Sequence, residues 1–229
     1  MSNWVKNNIK IYGKEQDIAE LINSALVNCG LEPKDNAEDG LKELVKNGMP
    51  SITLYKPIYC PEKKRVTFST FLPIPRTFLE YDTTNYPEKY PEICAKQREE
   101  YGVVGWYDYN IKAFGCKWDS EFNDMELRQC NDDLYELSFN VDTPWSPPFE
   151  FLKRLKEKFP KLRYFISCAE EMFSFVGFAE IGGEEVVINM DDVIDARKES
   201  EDDDVVEIAY QYLDDDFVSE FENFIYNKL

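Results

Sequence analysis

From Trp4 to Tyr12, Val5, Asn7, Ile9 and Ile11 alternate with polar neighbours, the period of a half-buried strand, and Gly13 ends the run. Between Gln16 and Cys29 the apolar residues Ile18, Leu21, Ile22, Ala25 and Leu26 recur instead at helical spacing. The chain therefore opens with a β-α unit. Residues 31–50 read as a loop holding a short helix around Gly40 to Val45, and Arg65 to Phe71 as a second strand. Leu72-Pro73-Ile74-Pro75 then breaks regular structure.

Tyr86 to Tyr101 is readable as a helix started near Pro87 or Pro91, and Ile111 to Trp118 and Leu134 to Val141 as strands. Ser146 suits a helix cap, Pro147 and Pro148 a first turn, and Phe151, Leu152, Leu155 and Phe159 make one apolar face. Lys153, Arg154, Lys156 and Lys158 hydrate the other side. Three apolar runs follow between Leu162 and Met190, the last two joined by Gly182-Gly183, which predicts a β-meander closed by a tight hairpin. Beyond it Val205, Ile208, Ala209 and Tyr212, then Phe217, Val218, Phe221, Phe224 and Ile225, predict one long helix or two short ones with acidic outer faces.

At 229 residues and 43% hydrophobic content the chain is long enough to bury a core, so it is read as an ordered α+β protein. No run approaches the roughly 20 apolar residues of a membrane helix, and Met1 to Lys10 lacks the pattern of a signal peptide, so a cytoplasmic protein is expected. The cysteines at 29, 60, 94, 116, 130 and 168 never approach zinc-ligand spacing and are read as reduced thiols.

The chain has no histidine. That removes the usual general base near neutral pH and every Ser-His-Asp, Cys-His or HEXXH mechanism within one chain. A net charge of −19 argues against binding a nucleic-acid backbone and for a basic partner. The charge is confined: residues 170–229 hold 19 Asp/Glu against 3 Lys/Arg, whereas residues 1–169 hold 26 against 23.

Four stretches together resemble the YubB ferredoxin-like family of phage and plasmid accessory proteins. They are Asn3-Trp4 with Asn8, Ile9, Ile11 and Gly13; Phe71 to Pro75; Gly105-Trp106-Tyr107 followed by Gly115-Cys116-Lys117-Trp118-Asp119; and Phe139 to Pro148, with Asp142, Thr143, Trp145, Ser146, Pro147 and Pro148. The likeness runs in patches over most of residues 2–180; Cys116 stands where that family usually carries Thr, and Pro144 where it carries a small residue. The resemblance implies an α+β fold with a ferredoxin-like antiparallel sheet and helices on one face. Residues 1–190 would form this body, and residues 191–229 an acidic helical C-terminal segment. No activity follows from the resemblance.

Two groups of residues are candidates for function. Lys117, Asp119 and Asp142 put carboxylates beside tryptophans, the raw material of a small metal-dependent hydrolase or transferase. The bland reading of the same residues is scaffolding, with Asp142 or Thr143 satisfying turn amides and Lys117 paired to an acid. The second group is the acidic array Asp191, Asp192, Asp195, Asp202, Asp203, Asp204, Glu207, Asp214, Asp215, Asp216 and Glu220. None of its runs has the spacing of an EF-hand, so no metal or cofactor is expected there; carboxylates flanking apolar helix faces instead resemble the phosphates of a duplex. The reading with most support is a non-enzymatic accessory protein of phage or mobile-element origin. Its acidic array would bind and inhibit a basic, nucleic-acid-handling host defence protein, a CRISPR effector or a restriction enzyme. A structural or assembly subunit is the third possibility.

Overall fold

The alternation at the start of the chain forms β1 (Trp4–Gly13), the third strand of a six-stranded antiparallel sheet. The computed structural model describes residues 3–47, 65–170, 175–183, 185–189 and 217–229. The remaining strands are β2 (Phe122–Gln129), β3 (Tyr135–Pro144), β4 (Arg163–Glu170), β5 (Phe175–Glu180) and β6 (Glu185–Asn189). Their order is β2-β3-β1-β4-β5-β6. Val5 stands between Thr143 and Glu170, and Ile9 between Phe139 and Ile166. Because strand side chains alternate, this register gathers Ile9, Ile11, Leu137, Phe139, Val141, Tyr164 and Ile166 on one face of the sheet.

The helices α1 (Glu15–Asn28) and α7 (Phe149–Lys158) supply apolar stripes to that core, through Ile18, Leu21, Ile22 and Ala25 on one and Phe151, Leu152 and Leu155 on the other. Helix α2 (Ala37–Asn47) packs on α1. A connecting layer follows: α3 (Phe68–Phe71), α4 (Arg76–Glu80), a 3-10 turn at Pro87–Lys89, α5 (Pro91–Tyr101) and α6 (Gly105–Phe114). Phe68 of α3 is its apolar anchor, with ring centroids 4.5 Å from Phe151, 5.3 Å from Phe122 and 5.4 Å from Phe114. The α+β, ferredoxin-like expectation describes this sheet and its helical layer.

The second face of the sheet carries its own, smaller core. Helix α8 (Phe217–Tyr226) lies on it, so that Phe221 and Ile225 bury against Tyr12, Phe165, Val176 and Phe178. Phe224 adds ring contacts at 4.9 Å to Phe178 and 6.3 Å to Phe165. At the rim Glu222 pairs with Lys10, and Arg163 donates to the Lys228 carbonyl and to Glu180. The end of the acidic quarter is thus fixed on the body.

Several local expectations differ from the structure. Ile111 to Trp118 is not a strand: Trp106, Tyr109, Asn110, Ala113 and Phe114 bury at helical spacing, and α6 ends at Gly115, whose φ of +81° suits a left-handed cap. In Arg65 to Phe71 only the stretch around Thr67 pairs as a strand, opposite Glu121. The rest turns into α3 because Thr67 and Thr70 form a reciprocal capping box. Ser146 does not cap α7, since its hydroxyl donates to the Gly115 carbonyl at 2.6 Å. The helix placed around Gly40 to Val45 extends over all of α2. The Gly182-Gly183 hairpin is present, with Gly182 at φ +75° and the Gly183 N–H on the Glu180 carbonyl. Of the one long or two short C-terminal helices expected, the part from Phe217 is α8, and the part from Val205 to Tyr212 lies outside the described residues.

Candidate functional site

The end of β3 turns back toward α7 through Pro144-Trp145-Ser146, and three polar side chains lock this turn to its surroundings. Asn7 donates through Nδ2 to the Val5 and Val141 carbonyls at 2.8 and 2.9 Å and to Thr143 Oγ1 at 2.9 Å. Thr143 Oγ1 in turn donates to the Ser146 carbonyl at 2.7 Å, and Ser146 Oγ ties the turn to Gly115. The Trp145 N–H donates to the Asn3 carbonyl at 2.9 Å. Asn7 and Thr143 are buried, so each bond holds a group that would otherwise be costly to leave unpaired.

This frame holds Trp145 in an unusual state. Its φ is +76°, a left-handed conformation that costs an L-residue about 1–2 kcal/mol, and its side chain is 64% exposed. Opposite Pro144, Trp4 of β1 meets the Trp118 ring at 5.5 Å. Lys117 places its ammonium 5.5 Å from the Trp118 centroid and 5.8 Å from that of Tyr107, itself 40% exposed. Trp4, Trp118, Lys117 and Tyr107 thus form one half-buried aromatic group around a cation, and Trp145 stands exposed at the end of β3.

The three residues singled out as a carboxylate site are not joined by any hydrogen bond or ion pair among the described residues. Asp119 accepts from the Ser69 N–H at 2.8 Å, Ser69 Oγ at 2.6 Å and Thr67 Oγ1 at 3.0 Å, and so caps α3 from across the chain. Loss of solvent draws its carboxyl above the usual range, against the opposing pull of those hydrogen bonds. Asp142 is exposed on β3 beside Lys6 of β1, on the sheet face away from Val141 and Thr143. Lys117 contacts rings rather than an acid. The turn hydroxyl of Thr143 meets a carbonyl where a turn amide was expected.

Other reactive groups are likewise committed. Burial pushes the Cys116 thiol up to about 12 and that of Cys29 to about 11, which leaves neither as a thiolate near neutral pH. Tyr12 donates its hydroxyl to Glu136, which Arg128 also meets at 3.0 Å; burial, then the Glu136 bond, raises the Tyr12 pKa. Among the described residues no group of three or more Cys, Asp or Glu side chains is placed to hold a metal ion. No described helix is long and apolar enough to cross a membrane. The acidic array from Asp191 to Asp216 lies outside the described residues; Glu220 is on α8.

Sequence reading did not pick out Trp145 and Tyr107 as surface groups. The one signal for Trp145 was its setting between Pro144 and Pro147-Pro148, a stiff frame for an exposed ring.

Residues 117–211 match the family model described as the ferredoxin-like domain in Api92-like protein, a range that starts at Lys117 and takes in β2 to β6. No curated protein matches. Among solved structures, the crystal structure of protein api92 from Yersinia pseudotuberculosis is similar at 13% identity and a TM-score of 0.35, covering 82% of this chain and 98% of its own. The chain is therefore similar to Api92-like proteins through a ferredoxin-like domain.

Proposed function

We propose that the chain is a non-enzymatic binding protein that occupies a basic, nucleic-acid-handling partner, in the manner of a mobile-element accessory protein directed at a host defence enzyme. The observation that carries this reading is the confinement of charge: 19 acidic against 3 basic residues in 170–229, on a body that is almost neutral. Such a field attracts a basic groove over distances of about a Debye length and sets the encounter rate.

Two features of the fold support it. Asp119, the buried carboxylate most suited to acid-base work, is already engaged in capping α3. Trp145 is held exposed at the cost of an unfavourable backbone conformation, and exposed tryptophans on rigid frames are favoured anchors in protein interfaces. Charge would then steer the partner and aromatic contact retain it.

The test is partner capture from a host-type bacterial lysate at low and high salt, followed by mass spectrometry. Ending the chain at Met190 is the wrong control, because it uncovers Phe165 and Phe178 beneath α8. The informative variant replaces the acidic residues between Asp191 and Asp216 by Asn and Gln and leaves α8 in place. Recovery of a basic nucleic-acid-handling protein by the native chain at low salt, and its loss in the neutralised chain, supports the reading. Equal recovery by both chains at either salt removes the acidic array from it.

A further inference from the structure

A groove of about 830 Å³ runs along the outer side of α1, remote in sequence from the acidic quarter. Its floor is the stripe of α1 that carries Glu20 and Val27; one wall is the end of α7, with Lys158 and Phe159, and the other is the loop before α2, with Asp35. Glu15 also lines it. Three carboxylates thus face one ammonium. That ammonium is already occupied: Lys158 Nζ donates to Ser24 Oγ at 2.7 Å and lies 5.2 Å from the Phe159 ring.

Glu15 meets the Tyr135 hydroxyl, but the other two carboxylates are not matched in this way. Glu20 and Asp35 are exposed, and among the described residues neither makes a hydrogen bond or ion pair. Val27 leaves 56% of its surface in water, on the side of α1 turned from the core. An acidic groove with an open apolar position suits a side chain set of opposite charge around one aliphatic anchor, and an amphipathic helix presents such a set at i, i+3 and i+4.

We propose that this groove receives a basic amphipathic segment of the partner, with arginines on Glu20 and Asp35 and an aliphatic residue over Val27. The proposal rests on the basic-partner reading above and adds a second contact to it: the acidic array attracts the partner, and the α1 groove fixes one of its segments.

The experiment is an NMR titration of the full chain with a 14-residue helical Leu/Arg peptide, with a Leu/Glu peptide of the same pattern as control. It is repeated on the double variant Glu20→Gln, Asp35→Asn and, separately, on the chain neutralised between Asp191 and Asp216. The proposal expects Leu/Arg-induced shifts at Glu20, Val27 and Asp35, and a Kd roughly fivefold weaker in the double variant, as for two exposed ion pairs. Val27→Ser weakens it likewise, and the Leu/Glu peptide leaves these amides unmoved. An unchanged Kd in the double variant overturns the groove. If affinity falls only in the neutralised chain, the groove is wrong while the acidic-array reading stands; if the Leu/Arg peptide binds nowhere, both fall.

Discussion

Asp119 caps α3 through Ser69, fifty residues before it, its two carboxylate oxygens accepting the Ser69 N–H at 2.8 Å and the Ser69 hydroxyl at 2.6 Å. Removing the carboxyl by Asp119→Ala leaves the Ser69 N–H and hydroxyl without their acceptor, although the Thr67–Thr70 capping box remains, and is expected to cost about 2 kcal/mol in urea denaturation. The pH dependence has a definite sign. Because the folded carboxyl titrates above its unfolded value, the stability it gives is complete below about pH 4 and is lost as pH rises through the elevated folded pKa. The deficit of the permanently neutral Asp119→Asn variant should therefore shrink between pH 4 and pH 7. A deficit that grows over that range contradicts the assignment.

Trp145 separates backbone strain from side-chain function. Glycine accepts a φ of +76° and alanine does not, so Trp145→Gly should be more stable than Trp145→Ala by about 1 kcal/mol, although both delete the same exposed ring. Thermal melts of the two variants decide this. Equal stability would mean that the turn relaxes once the indole is gone.

Gln97 is fully buried and uses its whole amide: Nε2 donates to the Thr77 carbonyl at 2.9 Å and to Thr77 Oγ1 at 3.2 Å, while Oε1 accepts from Thr83 Oγ1 at 2.8 Å and the Gly105 N–H at 3.1 Å. Gln97→Leu preserves volume but strands these partners, for an expected loss of about 3 kcal/mol. Gly105→Ala should cost a similar amount. Its Cβ would stand 2.3 Å from Thr84 Oγ1 and 2.9 Å from the Thr84 backbone, at a φ of +81°. Denaturation midpoints close to that of the native chain for both variants would remove this hub from the account of the α5–α6 junction.

Helix α8 is predicted to be integral to stability. Phe221 is 3% exposed against Phe178 and Val176, and Phe221→Ala should lower stability by about 3 kcal/mol. The same variant should bind a hydrophobic dye more strongly, as the second face of the sheet opens to water. A native melting temperature with no added dye binding would show that α8 does not hold this face in solution.

What the sequence disclosed follows from how regular each local pattern is. The strand β1 and helices α1 and α7 each carry an uninterrupted period and one buried face, and the Gly182 hairpin carries its paired-glycine turn signal. Strand β2 does not: only Phe122 in it is buried, and a bulge between Asn123 and Glu126, with Asp124 at φ +51°, shifts the alternation midway. In Ile111 to Trp118 the aromatic and β-branched residues suggested a strand, but Ile111 is on the wet side of α6 and the buried set is the helical one. The candidate site was legible only as residue types. That Asp119 would be important could be read from its neighbours; that its partners are Thr67 and Ser69 is a matter of tertiary placement, as is the exposure of Trp145.

The pairing of Val5 with both Thr143 and Glu170 has a consequence for biosynthesis. As the ribosome releases the chain, β1 emerges before both of its partners and has no strand beside it until β3 is made, while its other edge stays open until β4 follows. Thr143 is made 138 residues after its partner Val5, and the central strand waits that long for a neighbour. Closure of such long-range pairs is slow, and an unpaired apolar strand invites aggregation meanwhile. Lys6 and Lys10, which punctuate that strand with charge, are placed where a nascent chain most needs to stay apart from its copies.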